Sequence, residues 1–417
     1  MIKYSGFRLN NGLQVFVHED HATPMAVVNI TYNVGSKDEH EDLTGFAHLF
    51  EHLMFGGSEN IESFDAPIQE VGGECNAFTS SDITNYYITL PSSNLETAFW
   101  LESDRMFGLS INSKTLEVQQ KVVIEEYKQR YINQPYGDLW LKTLPLAYRS
   151  HPYRWATIGR DISHIENASL EDVRAFYKQY YCPANAVMVV AGDVTVPGVR
   201  ALAEKWFGDI SGGSSNRRAL PQEPRQLSPR LESFEADVPL NALVKAYHMP
   251  GRFQEGFFEA DLLSDILGRG KSSRLYQKLV KETGLFNRLS AQITSTLEPG
   301  LLMIKGFLNP GVELEAADRA VEEIVSSIAG SGARDEEVTR VKNQSEATLE
   351  FSEVELLNRA MNLSYAATAG NPEWVNQDIH RMRKVDPEGI QTAAKDILRP
   401  ENCSTMYYRA RQGGQNR

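Results

Sequence analysis

The stretch Val27-Val28-Asn29-Ile30-Thr31-Tyr32-Asn33-Val34-Gly35 returns in outline 216 positions later as Leu243-Val244-Lys245-Ala246-Tyr247-His248-Met249-Pro250-Gly251. Near the end of each half, Pro183-x-Asn185 matches Pro400-x-Asn402 at an offset of 217, with Val173 aligned to Ile390 and Tyr180 to Ile397. Two offsets that agree to one residue across most of the chain imply duplication, so one supersecondary plan must serve twice. A chain of 417 residues is also too long for a single core. The run Ser211-Gly212-Gly213-Ser214-Ser215-Asn216-Arg217-Arg218, followed by Pro221, Pro224 and Pro229, has linker composition. The expected division is therefore a first domain over 1–210, a linker over 211–230 and a homologous second domain over 231–417.

Within the first half, Leu13–Val17 and Ala26–Val34 are β-branched and aromatic with partial alternation and predict strands. Glu74–Thr79 and Asp82–Pro91 predict a hairpin. Helical patterns cover Phe64–Val71, Asn94–Met106, Ser113 to about Tyr131, Leu170–Tyr181 and Val196–Trp206, and Ala186–Ala191 predicts a buried strand. Residues 134–155, rich in proline and aromatics, read as a connection. The expected fold class is α+β: two tandem domains, each a mostly antiparallel mixed sheet backed by helices on one side.

One apolar helix, Gly45 to Phe55, carries three polar residues as His48-Leu49-Phe50-Glu51-His52. A lone histidine on an apolar helix is usually a satisfied core residue. Here positions three and four apart share a face, so His48, Glu51 and His52 point the same way. Two imidazoles on adjacent turns supply half of a tetrahedral zinc site, and a third protein ligand with a water completes the catalytic type. Glu51 is then placed as general base and afterwards acid. Downstream, Leu116, Gln119, Val123, Glu126 and Arg130 fall on one helical stripe, while Glu125 falls off it. An inward carboxylate at Glu126 needs a partner, and a divalent metal suits it; a solvated Glu125-Glu126 pair is the alternative. In the copy, the corresponding stretch near Ser264–Gly270 holds no such motif, so only the first half offers this site.

Bulk properties narrow the partners. A net charge of -13 argues against duplex nucleic acid or an anionic membrane. Cys75, Cys182 and Cys403 are odd in number and far apart, which indicates neither disulfides nor a cysteine metal site. The start, Met1 to Gly6, has no apolar signal core and no stretch is long enough to span a bilayer, so a cytoplasmic location is expected.

His48-x-x-Glu51-His52, a carboxylate helix some seventy residues on, and two tandem halves resemble the pitrilysin and insulin-degrading-enzyme family of metallopeptidases. The size is similar to that of the single-unit bacterial enzymes and mitochondrial processing peptidase. The resemblance covers nearly the whole chain and includes His151-Pro152-Tyr153, Pro183-x-Asn185 and Gly192-Asp193. It implies a zinc endopeptidase acting on peptides or unstructured segments in a chamber. It assigns the third zinc ligand to the second Glu of Val122-Val123-Ile124-Glu125-Glu126, that is Glu126, and a substrate-pairing edge strand to Asn76, Ala77, Phe78 and Thr79. Two positions depart from the family pattern. Gln119 stands where many members carry a glutamate two turns before the ligand, and glutamine cannot carry its charge. Val280 and Asn287 stand where members that complete the site from the second half use Arg and Tyr. The resemblance thus points to a second, related subunit supplying Arg and Tyr in a heterodimer, with a homodimer possible. A non-catalytic scaffold subunit is the competing class, and hydrolysis of a non-peptide amide a third.

Overall fold

The structure, a computed structural model, describes residues 1–214 and 219–411; residues 215–218 of the expected linker lie outside it. Its strands are β1 (Ser5–Arg8), β2 (Gln14–Glu19), β3 (Met25–Tyr32), β4 (Glu74–Thr79), β5 (Thr84–Pro91), β6 (Ala186–Gly192), β7 (Arg230–Ala236), β8 (Ala242–Met249), β9 (Phe286–Ile293), β10 (Gly300–Leu308) and β11 (Cys403–Ala410). The helices used below are α1 (Phe46–Leu53), α2 (Asp65–Glu70), α3 (Leu95–Phe107), α4 (Ser113–Tyr127), α5 (Leu139–Ala147), α6 (Ile162–Glu166), α7 (Leu170–Tyr180), α8 (Val196–Phe207), α9 (Phe257–Gly268), α10 (Leu314–Ser331), α11 (Asp335–Ser352) and α12 (Leu356–Thr368).

The first sheet runs β1-β2-β6-β3-β5-β4 and the second β7-β11-β8-β10-β9. Apart from the extra β1 the two paths are the same: one parallel pair, β2 with β6 and β7 with β11, and antiparallel pairs elsewhere. The fold is thus α+β with two homologous sheets. The Pro-x-Asn repeat has a structural role in both. Asn185 Nδ2 donates to the carbonyls of Tyr180 at 2.9 Å and Asn33 at 3.3 Å, and Asn402 Nδ2 to those of Ile397 at 2.7 Å and His248 at 2.9 Å. Each asparagine ties the end of a helix to the strand that pairs beside it.

Those bonds correct the repeat alignment. They make His248 the counterpart of Asn33, an offset of 215, whereas the sequence alignment used 216. A one-residue slip moves every side chain to the other face of a sheet. The sequence aligned Gly35 with Gly251, and each does turn the chain, donating to Asp38 Oδ2 and to Gln254 Oε1 at 2.9 Å. The copy has one more residue between strand and glycine, and this displaced the strand alignment.

Two compact units emerge, and neither is a continuous half. The first comprises Met1–Gln129, His151–Pro221 and Leu349–Gln377; the second comprises Arg130–Ser150, Gln222–Thr348 and the chain from Asp378 onward. Helix α5 of the first half thus belongs to the second unit and α12 of the second half to the first, a difference from the linear division expected. The strands explain why. β6 is buried at every position, so both faces of its sheet need cover. α3 and α8 pack on the first sheet from its own half, while Ala360, Leu363 and Ala367 of α12 pack on the opposite face against Val27, Val187 and Val189. In the second unit Leu139 and Leu146 of α5 pack on Ala242, Val244, Met406 and Tyr408. Residues 134–155 therefore hold a helix, hidden in the sequence by Pro145 near its end.

Candidate metal centre

Helix α1 starts at Gly45, whose φ of 92° no β-carbon tolerates easily; a Cβ there would also stand 2.9 Å from the Ile158 carbonyl and from Ile165 Cδ1. The cap comes from upstream. Glu39, almost fully buried, accepts from the backbone N–H of Gly45 at 2.9 Å and of Ala47 at 2.8 Å. Burial pushes the Glu39 carboxyl well above the usual range, and these two bonds oppose that rise. Beneath the helix Phe50 stacks on Phe176 at 4.9 Å and Tyr181 at 5.1 Å between ring centres. With Phe46, Leu49, Phe50 and Leu53 buried below, His48, Glu51 and His52 are left partly accessible on the other side.

Helix α4 is capped by Asn112, which accepts from Lys114 and Thr115 N–H groups. Leu116 and Val123 are buried, and Gln120 Nε2 donates to the carbonyls of Ile165 and Ala168 beside α6. So anchored, α4 brings Glu126 Oε2 to 3.6 Å from His48 Nε2 and 3.4 Å from His52 Nε2. One donor atom from each of the three lies within 4.8 Å of the others, and among the described residues no other group of this kind occurs. Tetrahedral zinc with ligand bonds of about 2.0–2.1 Å requires donors about 3.3–3.4 Å apart. The chemistry and spacing of the donor set fit that ion. Glu125 points away and pairs with Lys128 at 2.8 Å. Gln119 sits by the end of α1, its Nε2 4.0 Å from where a Cβ on Gly56 would be.

Glu51 Oε2 accepts from Thr79 Oγ1 at 2.6 Å. Burial raises the Glu51 carboxyl above its ordinary range, and the Thr79 bond partly offsets this. Thr79 ends β4, whose outer edge pairs with no other strand among the described residues. The same face of β4 turns Cys75 Sγ toward Asp65 of α2 at 3.5 Å. Asn76 and the exposed Phe78 alternate to the opposite face.

Residues 14–150 match the family model described as Insulinase (Peptidase family M16), and 167–345 match Peptidase M16 inactive domain. A relative from Helicobacter pylori, named zinc protease PqqE, is 31% identical over 408 residues, covering 96% of this chain and 90% of its own. The chain belongs to peptidase family M16. A crystal structure of a protease from Helicobacter pylori superposes with a TM-score of 0.91 at 26% identity, covering 98% of this chain and all of the other. An uncharacterized zinc protease of Mycobacterium leprae is 29% identical over 79% of this chain and 74% of its own. Among the described residues of this M16 chain no helix is long and apolar enough to cross a membrane.

Several supports of the site were not singled out in the sequence. Glu39 lies in an acidic run, Asp38 to Asp42, that leads into the metal helix; its position six residues before a glycine helix start is the available signal. Arg105 and Glu102 form a fully buried pair, Nε to Oε2 at 2.8 Å, with the guanidinium 4.3 Å from the ring centres of both Phe64 and Tyr86. Tyr86 OH in turn reaches the Phe50 carbonyl at 3.4 Å. The landmark His151-Pro152-Tyr153 acts through Tyr153, whose hydroxyl donates to Asp82, also the partner of buried Lys37 at 2.6 Å. In the copy, α9 begins at Gly256 with φ 83°, the counterpart of Gly45. The three motif positions therefore fall on Glu259, Leu262 and Leu263, five residues earlier than the stretch expected from the sequence offset. Val280 lies in a π-helical turn and Asn287 is exposed on β9, the edge strand of the second sheet.

Proposed function

We propose that this chain is a zinc-dependent endopeptidase. The observation that carries the reading is the convergence of His48, His52 and Glu126 at zinc-ligand spacing, with Glu51 on the same helix face and hydrogen-bonded to Thr79. His48, His52 and Glu126 would hold the ion, which when bound supplies Lewis acidity and brings the pKa of a water toward neutrality. Glu51 takes the proton of the attacking water as its oxygen adds to the scissile carbonyl carbon. It then delivers that proton to the amine nitrogen as the C–N bond breaks. Burial raises the Glu51 carboxyl, which makes it a stronger base for the first transfer, and the bond from Thr79 Oγ1 orients it. The peptide pairs by strand addition with the free edge of β4, where Asn76, Ala77, Phe78 and Thr79 lie. Val280 and Asn287 offer neither a guanidinium nor a phenol to the carbonyl oxygen, which supports a second M16-type subunit as donor of Arg and Tyr.

Metal analysis and turnover of an internally quenched peptide test the reading, with and without chelation and for Glu51→Gln. Zinc bound at one per chain, activity lost on chelation and Glu51→Gln inactive but metal-loaded are the expected results. Bound zinc with no cleavage, alone or with the partner, would instead make the chain a scaffold subunit of this fold.

A further inference from the structure

The edge strand β4 has a second side. Its alternate residues Glu74, Asn76 and Phe78 face away from the metal helix, toward the face of the first sheet covered by α12. There, wholly within the first unit, a cavity of about 540 Å³ opens beside β4. This volume is in the range of about 300–1,000 Å³ typical of ligand pockets, ample for one long side chain. Its floor is apolar, built by Val27 and Leu356. At its rim Glu74 and Glu355 are exposed and form no ion pair among the described residues. Asp20 and Arg359 also line it and pair with each other at 2.6 Å, so that guanidinium is already matched by a carboxylate of its own. The cavity therefore combines an apolar floor with two unneutralised carboxylates, the environment that a long aliphatic stem ending in a cation fills best.

Its place on the strand decides what could deliver such a group. A chain added to the free edge of β4 puts alternate side chains on each face, and cross-strand neighbours share a face. Side chains opposite Thr79 and Ala77 turn toward Glu51; those opposite Glu74 and Asn76 turn toward the cavity. Glu74 is five residues from Thr79, about 17 Å at about 3.3 Å per residue. We propose that this cavity is a remote specificity pocket for a lysine or arginine side chain of the β4-paired peptide, about four residues from the bond that is cut. The inference rests on the peptidase reading and deepens it by naming a substrate class.

Two measurements keep the two readings apart. Binding of a fluorescent lysine-containing peptide to the metal-loaded Glu51→Gln protein, with its partner if one is required, reads the pocket without hydrolysis. Glu74→Gln with Glu355→Gln should weaken it about ten-fold, the loss should fade at high salt, and replacing the lysine by norleucine should produce the same loss. In the hydrolytic arm, a quenched peptide series with lysine moved across six positions on each side of the cut should show one preferred position three to five residues away, mostly in KM. That preference should vanish in the double variant and turn to glutamate in Glu74→Lys with Glu355→Lys. A flat positional profile from an active enzyme, or affinity unchanged by the double substitution, overturns the pocket. Absent cleavage with carboxylate-dependent binding intact would instead count against the peptidase reading alone.

Discussion

Helices α1 and α9 are the same element of a duplicated fold, and they resolve the same problem differently. Both start at a glycine with positive φ, and both lie in units whose sheets follow the same path. On α1 the exposed-face donors converge with Glu126 of α4 on one point. On α9 the motif positions are occupied by Glu259, Leu262 and Leu263, and the polar link to the neighbouring helix is protein-only. Arg269 Nη1 donates to Asp265 Oδ2 at 2.9 Å, Ser345 Oγ of α11 to the same oxygen at 3.1 Å, and Arg269 Nη2 to Thr348 Oγ1 at 3.2 Å. A carboxylate turned into a packed helix pair needs a cation. An arginine satisfies that need as well as a metal does, but leaves no open position for a reactant.

The sharpest break in this comparison is chemical. Glu51→Gln should lower kcat by about 10²–10⁴, the usual worth of a positioned general base, with zinc content unchanged by elemental analysis. Glu126→Gln should lose the zinc as well. Equal zinc in Glu126→Gln and the parent protein would dissociate α4 from the site.

Next comes the protein-only counterpart. Arg269→Ala strands the buried Asp265 carboxylate and should cost about 2–3 kcal/mol in denaturant unfolding, discounted from the fully buried case because Arg269 is partly exposed. Asp265→Leu with Arg269→Leu should recover most of that loss. A pair that is additive rather than compensating would show that the two side chains are not each other's partner.

Asp261, also on α9, adds a pH dependence that α1 lacks at the equivalent position, Phe50. Burial, and then the nearby Asp265 charge, push its carboxyl up to about 6 from 3.8. The folded chain thus keeps a proton that the unfolded chain releases, so unfolding free energy falls as pH rises from about 4 to about 6 and stays lower above. Asp261→Asn should raise stability by about 2–3 kcal/mol at pH 7.5 and by little at pH 4. A gain of equal size at both pH values would exclude the titration.

The smallest effect separates the two glycines. Gly45→Ala meets a positive φ and two atoms at 2.9 Å, whereas Gly256→Ala meets the φ and only Pro250 Cγ at 3.4 Å. Both should destabilise by about 1 kcal/mol through the backbone, with roughly a further 1 kcal/mol at Gly45. Thermal unfolding of the two variants side by side reads the difference.

What could be read from the residues follows from periodicities that hold within one element. The i, i+4 spacing put His48 and His52 on one face, and the 3.6-residue stripe with Leu116 and Val123 chose Glu126 over Glu125. The Pro-x-Asn repeat exposed the duplication. Elements predicted from these patterns agree with the observed ones to within a few residues; the helix predicted to end near Tyr131 does so once the π-helical turn Lys128–Ile132, which continues α4, is included.

Through-space partners were another matter. An apolar face states that it will be covered, not by what, so the trade of α5 and α12 between units was invisible. The strand register also needed the bonds of Asn185 and Asn402. Glu39 looked like one acid among several until it met the N–H groups of Gly45 and Ala47. By itself the sequence determined the repeated plan and the donors on each helix, because side-chain direction is local geometry. Only the tertiary structure decided which helix faces which and which carboxylates are buried, because desolvation and pairing depend on neighbours far away along the chain.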